Sequence, residues 1–512
     1  MSNDTEWTQL LAWLATFPGH VDPEKYVKLV HNAAGRGLVA RGDAKPSTLL
    51  ISIPHAALLN LRTLRPLYPK PFHSLSATQL LSLHLARQFR RHLAPSSSSS
   101  QKREPHDKWW PFLATLPRQF ATVPLWWAVH RRSAESLAAD FPLDPDARSG
   151  AGAKGKGKAG PVDPSLAELA HDSVEARQAR RTRATRYAEL RELMPHGVRR
   201  RAVEIERRFA EDWAAVRRVW NAHGDGVGGD FGVLDFALGF LNVNTRCIWF
   251  NVDPGNKDNN LTLCPVIDMI NHAPRRMTKP ESLLSTLSFS SPTHSSSDPA
   301  LRDGDELCFS YGPHEDAMLL AEYGFVVGRS NEHNAVEIDR FVEALFDAQG
   351  REGELKRQVL EDEGYWGDMT LQSGPDDSAS ASWRVLVALR LLHLRLPSHL
   401  AASTSPSLSL SGHDALAPWQ HVVSGAAERI SVGNEKVVQG TLRGLCGAVE
   451  KEALAGLARC AEVRARWDKE AAAAAAGKKE GGEEVDESGA SLSMLETVWR
   501  EEARIAKAVG GS

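Results

Sequence analysis

Apolar runs are short and broken over the first 330 residues of this chain, then lengthen and fall at helical spacing beyond that point. That shift divides the 512 residues into two kinds of sequence, and a single repeating fold cannot be built from both. Soluble domains usually hold roughly 100–200 residues, so a chain of this length predicts two or three. The boundary is expected near residue 330, with 1–330 irregular and strand-bearing and 331–512 helical. A hydrophobic fraction of 42% and a charged fraction of 24% are ordinary globular values, so each part can bury a core.

Several classes are set aside at once. A net charge of -3 argues against a dedicated nucleic-acid binder, which carries a strongly basic domain. No apolar run reaches the roughly 18–20 residues that a bilayer span needs. The opening "MSNDTEWTQL" has no basic stretch ahead of an apolar one, so no signal peptide is expected. Cys247, Cys264, Cys308, Cys446 and Cys460 include no Cys-x-x-Cys pair, which argues against a zinc cluster or a disulfide framework and predicts reduced thiols. "GAGAKGKGK" lacks the Gly-Lys-Ser/Thr ending of a phosphate loop. "DPGNKDNN" at 253–260 has the composition of a calcium loop, but Lys257 and Cys264 stand where oxygen ligands are needed. No metal is expected.

Apolar spacing predicts helices over "TEWTQLLAWLATF" and "LSATQLLSLHLARQFRRHL", the second with a Ser start signal, and strand, turn, strand over "GRGLVARGDAKPSTLLISIPHAALL". Segments 95–105 and 148–164 are low in complexity, as is 469–490. Val174 to Trp220 is Arg-rich at helical period. It reads either as a platform for an anionic partner or, the commoner case, as a solvated face laced with Glu/Arg pairs. "CPVIDMINHAP" at 264–274 reads as a strand that stops at Asn271 and His272. "GDELCFSYGPHEDAMLLAEYGFVV" reads as strand, turn, helix, strand, and "WRVLVALRLLHLRL" and "LETVWREEARIAKAV" as helices.

Four stretches gain meaning from their order: "GRGLVA" at 35–40, "NTRCIWF" at 244–250, "DMINH" at 268–272, and "GDELCFSYG" at 304–312 followed by "EYGFV" at 322–326. With "WWPFLATLP" between the first two, they resemble the SET-domain methyltransferases of the Rubisco large-subunit methyltransferase type. The resemblance covers most of residues 5–330 and extends loosely to the C-terminal helices. It implies an α+β fold: a β-rich SET domain with a pseudoknot and a helical insertion, followed by an all-α substrate-binding domain over 331–512.

The resemblance also implies a site. S-adenosylmethionine is expected against Gly35, Arg36 and Gly37, where glycines allow close backbone approach. Arg246 is expected near the methionine carboxylate, for which a planar guanidinium is suited. The Asn271 amide is expected on the methionine moiety, and the His272 backbone on the adenine, although an Asn-His pair taken alone reads as a turn. Tyr311 resembles the catalytic tyrosine and also borders the cofactor. Tyr323 and Phe325 are expected to line the acceptor channel, with simple core packing as the competing reading.

The activity implied is transfer of methyl groups to a lysine of a non-histone protein, with ribosomal proteins or translation factors as first candidates. A protein-histidine acceptor and a non-catalytic SET scaffold that binds peptide are the alternatives. The expected partner is a protein substrate, with no membrane and no direct nucleic acid, and the enzyme is expected as a monomer in the cytoplasm, the nucleus or both. Three departures from the family stand out. Asp316 replaces the usual Asn and is expected to cap the following helix equally well. "LDFALGFL" is poorer in Trp than its counterparts, and the insertion around 148–205 is long. The Cys-rich zinc segment of some histone-directed relatives is absent, which suits a non-histone enzyme.

Overall fold

A computed structural model describes residues 2–18, 22–32, 35–93, 105–133, 174–224, 231–274, 281–282, 286–291, 300–397, 400, 410, 413–476 and 487–511. The low-complexity stretch 148–164 lies outside the described residues, as do nearly all of 95–105 and most of the polar loop "SSPTHSSSDP". The chain falls into two compact units. The first is Met1–Arg191, Ala202–Pro313 and Ala321–Gly324; the second is Glu192–Arg201, His314–Leu320 and Phe325–Ser512.

The first unit begins with α1 (Ser2–Leu14), followed by strands β1 (Val27–Asn32), β2 (Gly35–Ala40), β3 (Leu49–Pro54) and β4 (Leu59–Asn60). Helices α2 (Leu61–Leu64), α3 (Ala77–Leu93), α4 (Trp110–Leu113), α5 (Pro124–Ser133), α6 (Val174–Glu192), α7 (His196–His223) and α8 (Val233–Arg246) follow. Short strands β5 (Ile248–Trp249), β6 (Leu261–Leu263), β7 (Asn271–His272), β8 (Glu281–Ser282), β9 (Thr286–Ser290) and β10 (Cys308–Phe309) come next; of α9 (Asp316–Tyr323) only the last three residues fall in this unit, and the first six of α7 fall in the second.

β4 and β5 both pair antiparallel with β6, so the helical segment is inserted between two strands of one sheet. The other sheets are β1–β2, the antiparallel β3–β9–β8, and a parallel pair of β7 with β10, in which Asn271 stands opposite Cys308 and His272 opposite Phe309.

This unit is not β-rich. Its strands are two to six residues long, and helices carry most of its core. The reason lies in α8, whose residues Leu234 to Val243 are all buried. A helix buried over ten consecutive residues needs cover all round. Its closest cover is α3: a Cβ on Gly239 would stand 2.4 Å from the Ser82 carbonyl oxygen, so only glycine allows this crossing. Phe209 of α7 packs on Phe236 and Phe240 of α8 with ring centroids 5.7 and 5.4 Å apart. The Ser start signal of α3 is a capping box: Ser76 Oγ accepts from Gln79 N at 3.2 Å, and Gln79 Oε1 accepts from Ser76 N at 3.0 Å.

Two expected strands are absent. Cys264–Ile270 turns instead. Ile267 N donates to Pro265 O at 2.8 Å across Val266, which is buried at φ 68° and ψ -50°. That is a γ-turn on a β-branched residue, a strained conformation. A 3₁₀ turn at Ile267–Met269 follows, and β7 begins only at Asn271. Gly324, at φ 78°, ends α9, and the next residues join no ladder.

The second unit holds β11 (Ala335–Glu337), α10 (Asp339–Asp347), α11 (Arg351–Asp362), β12 (Thr370–Ser373), β13 (Ala379–Ala381), α12 (Trp383–Leu392), α13 (Ala417–Val423), α14 (Val432–Ala476) and α15 (Glu487–Gly510). It is therefore not all-α: β11–β12–β13 form an antiparallel sheet that buries Val336 and Leu371. Strands this short carry too little alternation to be visible in sequence. Residues 469–476 of the low-complexity stretch continue α14 as helix. α14 and α15 approach closely at Gly456, where a Cβ would stand 2.4 Å from the Trp499 ring.

Asp316 does not cap its own helix. Its carboxylate accepts from Val327 N (2.9 Å), Gly328 N (2.8 Å), Asn331 Nδ2 (3.0 Å) and Asn334 Nδ2 (3.1 Å), tying the start of α9 to the segment beyond it. The Arg-rich helices follow the ion-pair reading in part: Arg191 pairs with Glu206, Arg207 with Glu211, and Arg200 and Arg201 with Glu337.

Candidate active site

The strained Val266 turn delivers Asp268 into the interior of the first unit. There Arg246, at the end of α8, donates Nη1 to the Asp268 carbonyl at 3.0 Å and to its carboxylate at 3.3 Å. Burial pushes the Asp268 carboxyl up, opposed by the charges of Arg246 and Arg36. Asp268 Oδ1 and Arg246 Nε are both buried and have no hydrogen-bond partner among the described residues. A buried carboxylate oxygen left unpaired is costly unless a donor meets it.

Arg36, on β2, belongs to the same cluster through its side chain. Its Nη2 donates to the Thr115 carbonyl, and its guanidinium is lowered by burial and then by the charge of Arg246. Asn271 Nδ2 donates to Glu306 Oε1 at 2.7 Å and to the Arg36 carbonyl at 3.3 Å. Those two bonds commit the nitrogen, so Oδ1 is the atom of the amide left to accept.

The glycines of "GRG" act differently from each other. Gly35 holds φ 114°, which favours glycine, with open space around it. Gly37 is needed for room: a Cβ there would stand 2.8 Å from both Asn271 Nδ2 and Glu306 Oε1. Gly37 therefore makes space for a pair of side chains, and the segment is strand β2, the first strand expected from the sequence.

Tyr311 follows β10. Its hydroxyl donates to the Ile270 carbonyl at 2.9 Å, and its backbone N–H donates to His272 Nδ1 at 3.1 Å. Its ring lies 5.2 Å from His272, 5.2 Å from Phe309 and 5.4 Å from Tyr323, centroid to centroid. Burial pushes the Tyr311 phenol well above its ordinary value, so it stays protonated across the neutral range. Burial likewise raises the Tyr323 phenol and the thiols of Cys247 and Cys264, which makes those cysteines unreactive.

The structure thus gathers Gly37, Arg36, Arg246, Asn271, His272, Tyr311 and Tyr323 within the first unit. Phe325 belongs to the second unit. Two members of the cluster escaped the sequence reading, Asp268 and Glu306. The available signal was the lone carboxylate among the apolar residues of "CPVIDMINHAP", where an acid is costly to bury, and, in "GDELCFSYG", the second of two adjacent acids, next to the apolar Leu307. Among the described residues, no group of three His, Cys, Asp or Glu is placed to hold a metal.

The fold is that of the SET domain of LSMT. Solved structures of Rubisco LSMT bound to AdoMet, and of the SET domain of LSMT bound to lysine and AdoHcy, align at TM-scores of 0.56 and 0.55. Identity is 15% and 16%, over 100% and 99% of this chain and 91% and 90% of theirs.

The particular relatives are SET-domain proteins. The chain is 29% identical over 200 residues to ribosomal lysine N-methyltransferase set11 of Schizosaccharomyces pombe, covering 39% of this chain and 45% of that protein. It is 27% identical over 287 residues to SET domain-containing protein 4 of Mus musculus (54% and 58%), and 27% identical over 237 residues to ribosomal lysine N-methyltransferase 2 of Saccharomyces cerevisiae (40% and 46%). The chain spans about half the length of these curated relatives. No protein-family profile matches the chain. The resemblance to SET-domain methyltransferases of the Rubisco large-subunit methyltransferase type is carried by both the relatives and the fold.

Proposed function

We propose that this chain is an S-adenosylmethionine-dependent protein-lysine N-methyltransferase acting on a non-histone protein, with ribosomal proteins the first candidates. One observation carries the reading. Asp268 Oδ1 and Arg246 Nε are buried and unpaired in the same cluster as the Asn271 carbonyl oxygen. Two acceptors and a guanidinium suit a ligand that bears both an ammonium and a carboxylate, as the methionine end of the cofactor does. The relatives named as ribosomal lysine N-methyltransferases, and LSMT structures holding AdoMet, AdoHcy and lysine, support it.

The cofactor supplies an electrophilic methyl on a sulfonium. The chain's residues then have three tasks. Asp268, Arg246 and Asn271 hold the ligand's charged end. Tyr311 keeps its proton on the Ile270 carbonyl, so its oxygen presents lone pairs to the reaction centre, and its raised phenol excludes it as a base. Tyr323 lines the acceptor channel, where low polarity favours the neutral amine over the ammonium form, whose ordinary pKa is about 10.4. Fixing amine and methyl in line supplies much of the rate.

In this reading residues 1–330 are the SET domain with its helical insertion, and 331–512 the substrate-binding domain. The parallel β7–β10 pair, with Tyr311 bonded back to Ile270, supports a pseudoknot at that point. A monomer in the cytoplasm or nucleus accompanies the proposed substrates. No described helix is long and apolar enough to cross a membrane.

The test is transfer of labelled methyl to ribosomal proteins from cells lacking this protein. Wild type labels a protein band. Tyr311→Phe binds the cofactor normally but lowers kcat roughly 10- to 100-fold, each tenfold being about 1.4 kcal/mol. A wild type that binds the cofactor and labels no protein would leave the peptide-binding scaffold as the better account.

A further inference from the structure

"EYGFV" was singled out for Tyr323 and Phe325, yet its first residue is held by two side chains of its own. Arg208 of α7 donates Nη2 to one oxygen of Glu322, and Asn244 of α8 donates Nδ2 to the other. The Glu322 side chain is only 13% exposed, so this is not a loose surface pair. A carboxylate shared between a guanidinium and an amide is fixed in direction as well as in place.

Tyr323, the next residue, is thereby fixed from one side. Gly324 fixes it from the other. At φ 78°, a Cβ on Gly324 would stand 2.6 Å from Thr122 Oγ1 and 2.7 Å from Val123 Cγ2, so the backbone lies directly on that segment. Asn244 also stands two positions before Arg246 on α8. One helix end therefore carries both the arginine that meets Asp268 and the anchor of the residue preceding Tyr323.

We propose that Glu322 is a positioning residue: through Arg208 and Asn244 it sets the distance of Tyr323 from Tyr311, and with it how many methyl groups the acceptor amine can take. This rests on the methyltransferase reading above. The physical basis is packing. Close-packed walls do not yield gradually, so a channel either has room for an added methyl or lacks it. Removing the anchor lets the end of α9 and the Tyr323 ring shift, while the Arg246–Asp268–Asn271 cluster keeps its own bonds.

The experiment uses the full chain with labelled S-adenosylmethionine and ribosomal proteins from cells lacking this protein. Initial rates are read together with the mono-, di- and trimethyl distribution by mass spectrometry. Glu322→Ala is expected to lower kcat about tenfold and to change that distribution, while cofactor affinity stays within about twofold. Glu322→Gln keeps an acceptor for Asn244 and is expected to fall between. Asn244→Ala, which removes one donor only, serves if Glu322→Ala does not fold, and is expected to shift the distribution in the same direction. An unchanged rate and distribution in the folded variants would overturn the role of Glu322. A wild type that methylates nothing would overturn the reading beneath it, so the two failures are told apart.

Discussion

Asn271 and Glu306 hold each other directly over Gly37: Asn271 Nδ2 lies 2.7 Å from Glu306 Oε1, and both atoms occupy the space a Cβ at position 37 would need. The pairing leaves the Asn271 carbonyl oxygen to accept, beside Asp268 Oδ1. It also links three stretches far apart in sequence, "GRGLVA", "DMINH" and "GDELCFSYG", through side chains.

Gly37→Ala tests that link. The added methyl must displace Asn271, Glu306 or β2, at a cost of about 1–3 kcal/mol. A lower melting temperature is expected together with weaker binding of S-adenosylmethionine. The same substitution at Gly35 acts differently: its space is open, so only the φ of 114° resists it. A Gly37→Ala protein with wild-type melting and affinity would remove the steric argument.

Asp316→Asn examines the position where the family usually has Asn. The carboxylate accepts four N–H groups, two on each oxygen. An amide nitrogen in place of one oxygen sets donor against donor and loses two of those bonds. The expected loss is about 2–4 kcal/mol in a urea melt with unchanged m. A change below about 0.5 kcal/mol would show that the segment rearranges around an Asn.

Glu502 gives the second unit a pH dependence. It lines a pocket with His196, Glu337, Arg340 and Glu452. Burial, then the charge of Glu452, pushes its carboxyl up to about 8, with Arg340 opposing and Glu337 adding. The unfolded chain loses this proton near the ordinary 4.5, while the folded chain keeps it to about 8. The folded state therefore binds more protons between those values, and stability falls as pH rises through that window. Melting temperatures of wild type and Glu502→Gln, taken from pH 5 to 9 (a range of about 4 units around the raised value), should converge at low pH and separate in favour of the variant as pH rises. Parallel curves would contradict the assignment.

The long helices were legible because a 3.6-residue apolar period repeats several times in each, as in α3 and α12. The two- to four-residue strands β4 to β7 and β11 to β13 were not, since alternation over so few residues does not stand out from its surroundings. The γ-turn at Val266 was hidden for a different reason: a buried Val is the residue least expected at positive φ, and its apolar neighbours read as a strand. In the site, Arg246, Asn271, His272, Tyr311 and Tyr323 were named from short motifs in a fixed order. Asp268, Glu306 and Glu322 were passed over within those same motifs. What marks them is a tertiary partner: Arg246, Asn271, and Arg208 with Asn244.

The most direct test of the account is calorimetric binding of S-adenosylmethionine to wild type and to Asn271→Ala. Micromolar binding by wild type, weakened at least about tenfold by the substitution (about 1.4 kcal/mol), is the predicted result. Absence of binding in the folded wild type, or equal binding by both proteins, would contradict the placement of the cofactor at Asp268, Arg246 and Asn271.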